Sequence, residues 1–282
     1  MARNPDFSLY NKIFETYDNL KFQKKPSERL VAHAGIGKGE RVLDVACGTG
    51  WATLDAARAV GPTGHVIGVD IAERALSLAH EKADKMGLRY ISFDQQDGHH
   101  LKFEDCTFDV VTCASALFGF GDIPGALREW RRVLRPGGRV AFSSFGPEFS
   151  RDSRMLRKTI VQYGTASSAT VGRLDTIEDC ASQLLDAGFG NIQTATEELG
   201  YYHPELDAYW HEVMSSMRRI PLEKLDQVTA ERVREKHLEE MKAFVGEKGL
   251  WRPVPTLFAV GRVPRRETSR RAGCGKSARP VR

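Results

Sequence analysis

The sequence predicts an α/β fold built on a doubly wound, mostly parallel sheet. Three observations predict it. Residues 42–50, Val-Leu-Asp-Val-Ala-Cys-Gly-Thr-Gly, join an apolar run to a glycine turn. Asp70 closes the next apolar run, twenty residues after Gly50. From residue 41 to residue 145, short β-forming runs alternate with segments of helical spacing.

The elements follow in order. Leu9, Ile13, Phe14 and Tyr17 predict a helix over residues 8–17, and residues 26–34 a second. Residues 1–40 thus read as cap helices that either lid a ligand site or cover the sheet. Val42, Leu43 and Val45 suit a strand over 41–46 buried on both faces. A helix spans 51–60, and 64–69 is the neighbouring strand. Leu76, Ala79, Ala83 and Met86 carry a helix over 73–86 to its stop at Gly87. Strands follow at 89–93 and 108–114. Leu127, Trp130 and Leu134 share one face of a helix over 124–134, which makes Trp130 a core residue. Pro136-Gly137-Gly138 ends that helix before a strand at 139–145. Asp175 with Glu178 reads as a capping box, with Asp175 as the cap. Ile177, Ala181 and Leu184 take that helix to Gly188. A sixth strand covers 191–196 and extends toward Tyr202. Two helices, 204–219 and 221–245, form an insertion over about residues 203–250. The apolar run 253–263 is the last strand, so residues 41–263 make one domain.

Gly48 and Gly50 let the backbone turn sharply and approach a ligand closely. The helix from Trp51 aims its N–H groups into the same crevice. An acid at the position of Asp70 can accept both hydroxyls of a ribose. The segment therefore reads as a nucleoside site. A dinucleotide site wants a small residue at the third position of G-x-G-x-x-G, where this chain has Thr53. An S-adenosylmethionine site needs no pyrophosphate cradle, and Asp44 stands where it can orient the glycine loop. A bare strand–helix turn explains the glycines but neither acid.

The segment Asp44 to Gly50 resembles the first motif of class I S-adenosylmethionine-dependent methyltransferases. Gln96-Asp97-Gly98 resembles the place where these enzymes bind adenine. Residues 101–111 and 126–138 resemble their approaches to the fourth and fifth strands. Tyr17-Asp18 resembles the Tyr-Asp of ubiquinone/menaquinone-type C-methyltransferases. The likeness covers residues 8–145. It implies a seven-stranded Rossmann-like methyltransferase sheet with an antiparallel final hairpin, and S-adenosylmethionine as cofactor. It implies a donor site of Tyr17, Asp44, Ala46, Gly48, Thr49, Gly50, Asp70, Ile71, Asp97, Gly98 and Ala114. Lys102 replaces a common Pro, and His99-His100 an acidic or amide pair, so quinone itself is not carried over as the acceptor.

A methylsulfonium is already electrophilic, so the protein mainly aligns donor and acceptor. An oxygen or carbon acceptor also needs a proton removed. His211 is the first candidate base, because Asp207 lies four residues earlier on the same helix face. An exposed ion pair is the bland reading. His203 is the second; before Pro204, an end-of-helix hydrogen bond is its bland reading. His99 and His100 fit the rim of the adenine site. His33, His65, His80 and His237 fit structural or solvated roles. Tyr163, Tyr201, Tyr202, Phe118 and Phe120 either line an acceptor pocket or are ordinary core. The leading function is O- or C-methylation of a small-molecule acceptor, a secondary metabolite or quinone-like compound. A nucleic-acid methyltransferase and a non-methylating cyclase or binding protein on the same fold stay open.

Composition narrows these classes. The 282 residues are 41% hydrophobic and 28% charged, as in globular proteins. No apolar run approaches the ~20 residues of a membrane span, so no membrane partner is expected. Residues 262–282 hold eight Lys or Arg against one Glu, a net of +7, which leaves the other 261 residues at −3. The body is mildly acidic, which argues against a nucleic-acid acceptor. Residues 264–282 read as a disordered basic tail. Five cysteines without a C-x-x-C fit a reduced, cytoplasmic protein. Cys47 reads as a small side chain in the glycine loop rather than a nucleophile. Nothing in the sequence gives the oligomeric state.

Overall fold

The structure, a computed structural model, describes residue 14 and residues 16–163 and 174–265. Helix α1 (Lys21–Ala34) precedes β1 (Arg41–Val45), α2 (Trp51–Val60), β2 (His65–Asp70), α3 (Glu73–Lys85) and β3 (Ile91–Gln95). Then come β4 (Phe108–Cys113), α4 (Ile123–Val133), β5 (Leu134–Phe145) and α5 (Arg151–Gln162). The last part runs α6 (Ile177–Asp186), β6 (Gly190–Glu198), β7 (Tyr201–His203), α7 (Leu206–Met214) and α8 (Gln227–Lys242). It ends with β8 (Val245–Gly246), β9 (Gly249–Arg252) and β10 (Pro255–Arg262).

Seven strands form one sheet in the order β3-β2-β1-β4-β5-β10-β6. Only β10 runs antiparallel to its neighbours, β5 and β6. The expected seven-stranded sheet with an antiparallel final hairpin is therefore what the chain forms. Its direction of growth reverses between β1 and β4, and ligands of such sheets bind outside the carboxyl ends at that point. Side chains alternate between two cores. Leu43, Val45 and Val111 face α4 and α6 in the core around Trp130. Val42, Val66 and Val110 face the core that includes Leu30 of α1 and Ala57 of α2. Trp130 is fully buried, as its stripe predicts.

Several boundaries differ from the sequence reading. Pro136-Gly137-Gly138 lies inside β5 rather than before it, where the register against β4 shifts between Phe108 and Val110. The α6 cap is Thr176, not Asp175; its hydroxyl accepts the Asp179 amide at 3.1 Å. Helix α5 carried no recognised sequence signal. The insertion is not simply two helices. Leu225 leaves the helical path and Asp226 caps α8, accepting the Thr229 amide at 3.0 Å. A second, three-stranded sheet, β7-β9-β8, closes the insertion. Its short strands gave no alternating pattern to read.

Helix α1 packs on α2 and across β5 and β10, so it covers a sheet face. The cap helix over 8–17 is described only at Phe14, Thr16 and Tyr17, which are helical. The basic tail from residue 266 lies outside the described residues. Among the described residues, no helix is long and apolar enough to cross a membrane.

A third core lies under the insertion, built from Leu156, Ile160, Tyr209, Val213, Val233 and Met241. His237 is fully buried there, 2.9 Å from the Tyr209 hydroxyl. Burial pushes its pKa down to about 4. Its stabilising contribution is complete above the unfolded value of about 6.5 and is lost as pH falls toward 4. We expect this to remove up to about 3 kcal/mol between those limits. Denaturant titrations at neutral and acid pH should show a smaller acid loss in His237→Phe than in wild type. Equal losses would assign the acid sensitivity elsewhere.

Candidate functional site

The crevice at the carboxyl ends of β1 and β2 is built around two buried carboxylates. Asp44 is fully buried within β1. Thr53 Oγ1 of α2 donates to its Oδ2 at 2.6 Å, and Thr112 Oγ1 of β4 to its Oδ1 at 2.7 Å. Thr53, which spoils the dinucleotide pattern, thus has a hydrogen-bonding task. Burial is the main cause that raises Asp44 to about 6, and the Asp70 charge adds to it. Asp44 ties β1 to α2 and β4. It makes no hydrogen bond to the glycine loop, so the expected orienting role is indirect.

Asp70 orients the loop directly. Its Oδ2 accepts the Gly48 amide at 2.8 Å and its Oδ1 the Ala72 amide at 2.9 Å. Its side chain is 8% exposed, and burial raises its pKa against those amides. The loop is left-handed at Ala46, Gly48 and Gly50. Ala46 bears a side chain there, the kind of strain that collects at functional sites. Burial pushes the Cys47 thiol well above its ordinary value, which disfavours the nucleophilic thiolate.

The segment before α1 clasps this loop. Asp18 accepts the Thr49 hydroxyl at 2.5 Å and pairs with Lys82 Nζ of α3 at 2.8 Å. Lys82 also sits 4.4 Å over the Trp51 ring. Tyr17 is half-buried beside it, its hydroxyl pKa raised by burial, then by Asp70 and Asp18. Sequence reasoning had Asp18 only as a neighbour of Tyr17. The signal for its role was the Thr–Asp–Lys chemistry, spread over three elements.

Across the crevice, Asp97 accepts both the His99 amide and the His99 Nδ1 at 2.9 Å. Although burial works the other way, these bonds hold its carboxyl below the usual range. His99 stands against Phe120, ring centroids 4.9 Å apart, in keeping with a rim role. A Cβ on Gly98 would come within 2.7 Å of Val45 Cγ1, so only glycine fits. Its carbonyl accepts Trp130 Nε1 at 2.9 Å. Ile71 is exposed next to Asp70. Beyond Ala114, Ser115 is left-handed; its amide and hydroxyl meet Ser143 Oγ at 2.9 and 3.1 Å. Residues 44–50, 70–71, 97–98 and 114 thus gather at one end of the sheet.

The two proposed bases fare differently. His211 is exposed, and its ring makes no hydrogen bond with the described residues. Asp207 pairs with Arg234 at 2.8 Å, so it does not orient His211 as a base. His203 is not at a helix end. It lies in β7, 2% exposed, with Nε2 3.5 Å from Glu212 Oε2.

This fold, with an acid and a glycine loop at its switch point, defines a class: the S-adenosylmethionine-dependent methyltransferases. The chain belongs to the methyltransferase-domain family, whose model matches residues 36–203. A demethylmenaquinone methyltransferase from Staphylococcus aureus is 38% identical over 138 residues, 47% of this chain and 56% of that protein. The chain thus matches little more than half the length of the curated relatives. Among solved structures, the YcgJ protein from Bacillus subtilis aligns with a TM-score of 0.60 at 19% identity, covering 86% of this chain and 99% of that one. The [4+2]-cyclase SpnF aligns at 0.56 and 21% identity, covering 84% and 82%. These two likenesses concern the fold.

Proposed function

We propose that the chain moves the methyl group of S-adenosylmethionine to carbon or oxygen of a planar small molecule, a quinone-like or phenolic compound. The aromatic floor beside the donor crevice carries this reading. Phe145 ends β5 and stacks on Phe149, with ring centroids 3.9 Å apart and planes 12° apart. Phe118, partly exposed, lies 6.1 Å from Phe145, and Phe22 closes the far side at 6.0 Å. Such a floor favours a flat ring through burial and offset stacking. The relative that carries the name demethylmenaquinone methyltransferase supports the same acceptor class.

In this reading Asp70 holds the ribose hydroxyls and Ile71 covers the adenine. Asp97 and the Gly98 backbone meet the adenine edge. Tyr17, Ala46, Gly48, Thr49, Gly50 and Ala114 line the methionine and ribose. The Asp44 charge faces the donor's two cationic centres through the loop. Incubating the protein with labelled S-adenosylmethionine and a panel of a naphthoquinol, a catechol and a flavonoid phenol tests it. Label is expected on one of the phenolic compounds. Label on nucleic acid alone, or donor binding without any transfer to the panel, would overturn the acceptor assignment.

A further inference from the structure

The insertion buries a cluster of ionisable groups that the donor site does not use. At its centre is Glu212 of α7, 5% exposed. The Tyr201 hydroxyl donates to Glu212 Oε2 at 2.5 Å. Arg218 Nη2 donates to Oε1 at 3.0 Å. His203 Nε2 stands 3.5 Å from the same Oε2 and has no hydrogen-bond partner, although it is buried. An unpaired buried polar group is destabilising. His203 Nε2 faces the shared carboxylate oxygen with no bond of its own. Asp152 balances the cations behind Glu212, pairing with Arg218 at 2.5 Å and Arg252 at 2.6 Å.

This cluster borders the acceptor side of the crevice. Tyr201 is half-buried and packs on the same core as Tyr17, Ala114, Phe145 and Phe149. Lys21 Nζ, four residues after Tyr17, lies 5.8 Å from the centre of the Tyr201 ring. Thr16 Oγ1 donates to the Ser215 carbonyl, just past the end of α7. The Arg252 guanidinium lies 4.6 Å over the Phe149 ring. The aromatic floor and the Tyr201–Glu212 pair are therefore contiguous.

We infer that Tyr201, Glu212 and His203 form a proton relay that ionises a hydroxyl of the acceptor, an assignment that rests on the methyl-transfer reading above. The acceptor's O–H bond breaks and its electron pair stays on oxygen. Tyr201 Oη takes that proton while its own passes to Glu212 Oε2 and on to His203 Nε2. The oxyanion, or the ring carbon conjugated to it, forms the bond to the methyl group. The S–CH3 bond breaks with its electrons on sulfur. Where carbon is attacked, the oxygen becomes a carbonyl, and the ring C–H proton moves to that carbonyl oxygen as aromaticity returns. The relay sheds its proton along the same path once the product leaves. Tyr201 is the catalytic group; Glu212 and His203 are positioning residues. Burial holds His203 below its ordinary range, against Glu212 and together with Lys21, Arg252 and Arg218.

Two measurements test the relay. In turnover of the best acceptor of the panel, Tyr201→Phe should lower kcat about a hundredfold, the scale of general-base catalysis, with donor affinity unchanged. Glu212→Gln and His203→Asn should move the acid limb of the kcat profile. A wild-type kcat in Tyr201→Phe would overturn the relay. The second measurement needs no methyl transfer. Nitrocatechol absorbance, read with S-adenosylhomocysteine present, should show the bound probe ionising at lower pH in wild type than free in solution, and not in Tyr201→Phe. An ionised probe on a protein that methylates nothing in the panel would refute the acceptor and keep the relay. A probe that binds without any shift would refute the relay alone, and one that does not bind would refute its place beside the acceptor.

Discussion

Asp152→Ala is expected to cost about 3–5 kcal/mol of folding stability, because it strands two buried guanidiniums. Asp152 is 4% exposed, Arg252 3%, and the Arg218 side chain 11%. Asp152 accepts from both arginines, and the Tyr209 hydroxyl lies 3.3 Å away. Burial alone would raise its pKa, but Arg218 and Arg252 hold it below the usual carboxylate range. Its contribution is therefore present above the unfolded value and fades as pH falls through the lower folded one. Removing the carboxylate leaves Glu212 to face both cations. Thermal melts should show a drop of about 10 °C, at roughly 2–4 °C per kcal/mol for a domain of this size. Asp152→Asn, which keeps shape and one acceptor, should lose less. A melt unchanged in Asp152→Ala would mean that the network contributes nothing to holding the insertion.

Asp70→Ala should weaken S-adenosylmethionine binding about a hundredfold. Charge-assisted hydrogen bonds are worth about 1.5–3 kcal/mol each, and a net loss near 3 corresponds to that factor. The structure adds a second cause. Asp70 already accepts the amides of Gly48 and Ala72, so its loss also frees the loop that the donor must meet. Asp70→Asn keeps one acceptor oxygen but turns an NH2 toward a backbone N–H. It should therefore rescue little. Calorimetry on variants that melt like wild type reads the effect. Unchanged affinity in such a variant would remove Asp70 from the donor site.

The glycine loop and its two acids are legible in the sequence because their signals are local. Val42 to Gly50 holds strand, turn and helix start within nine residues. Asp70 is marked by its place at the end of an apolar run. What stayed hidden is made of contacts between distant segments. The clasp on Thr49 comes from Asp18, and the partners of Asp44 come from α2 and β4. Glu212 reads in sequence as an ordinary charge on a helix; only the fold brings Tyr201, His203 and Arg252 to it. The same cause misled the reading of His211. Helical spacing brought Asp207 near it, but Arg234, 27 residues away, holds that carboxylate. The insertion was read as all helix because α7 carries an apolar stripe, whereas the two-residue β8 and four-residue β9 are too short to show a period.

In the proposed donor site, the proton affinity of Asp44 sets the donor and the proton against each other as ligands. Burial raises the Asp44 pKa to about 6, so its protonated form persists to higher pH than in an ordinary aspartate. S-adenosylmethionine brings a sulfonium and an ammonium, and both favour the ionised carboxylate. Uptake of the donor should therefore expel protons into the buffer, and its affinity should climb from pH 5 to pH 7. The spent product has lost the sulfonium charge, so it expels fewer. Mild acid should then loosen donor more than product, and the ratio of the two affinities reads the buried carboxyls Asp44 and Asp70 together. Calorimetric titrations in two buffers of different ionisation heat count those protons directly; in Asp44→Asn the heats should differ less than in wild type.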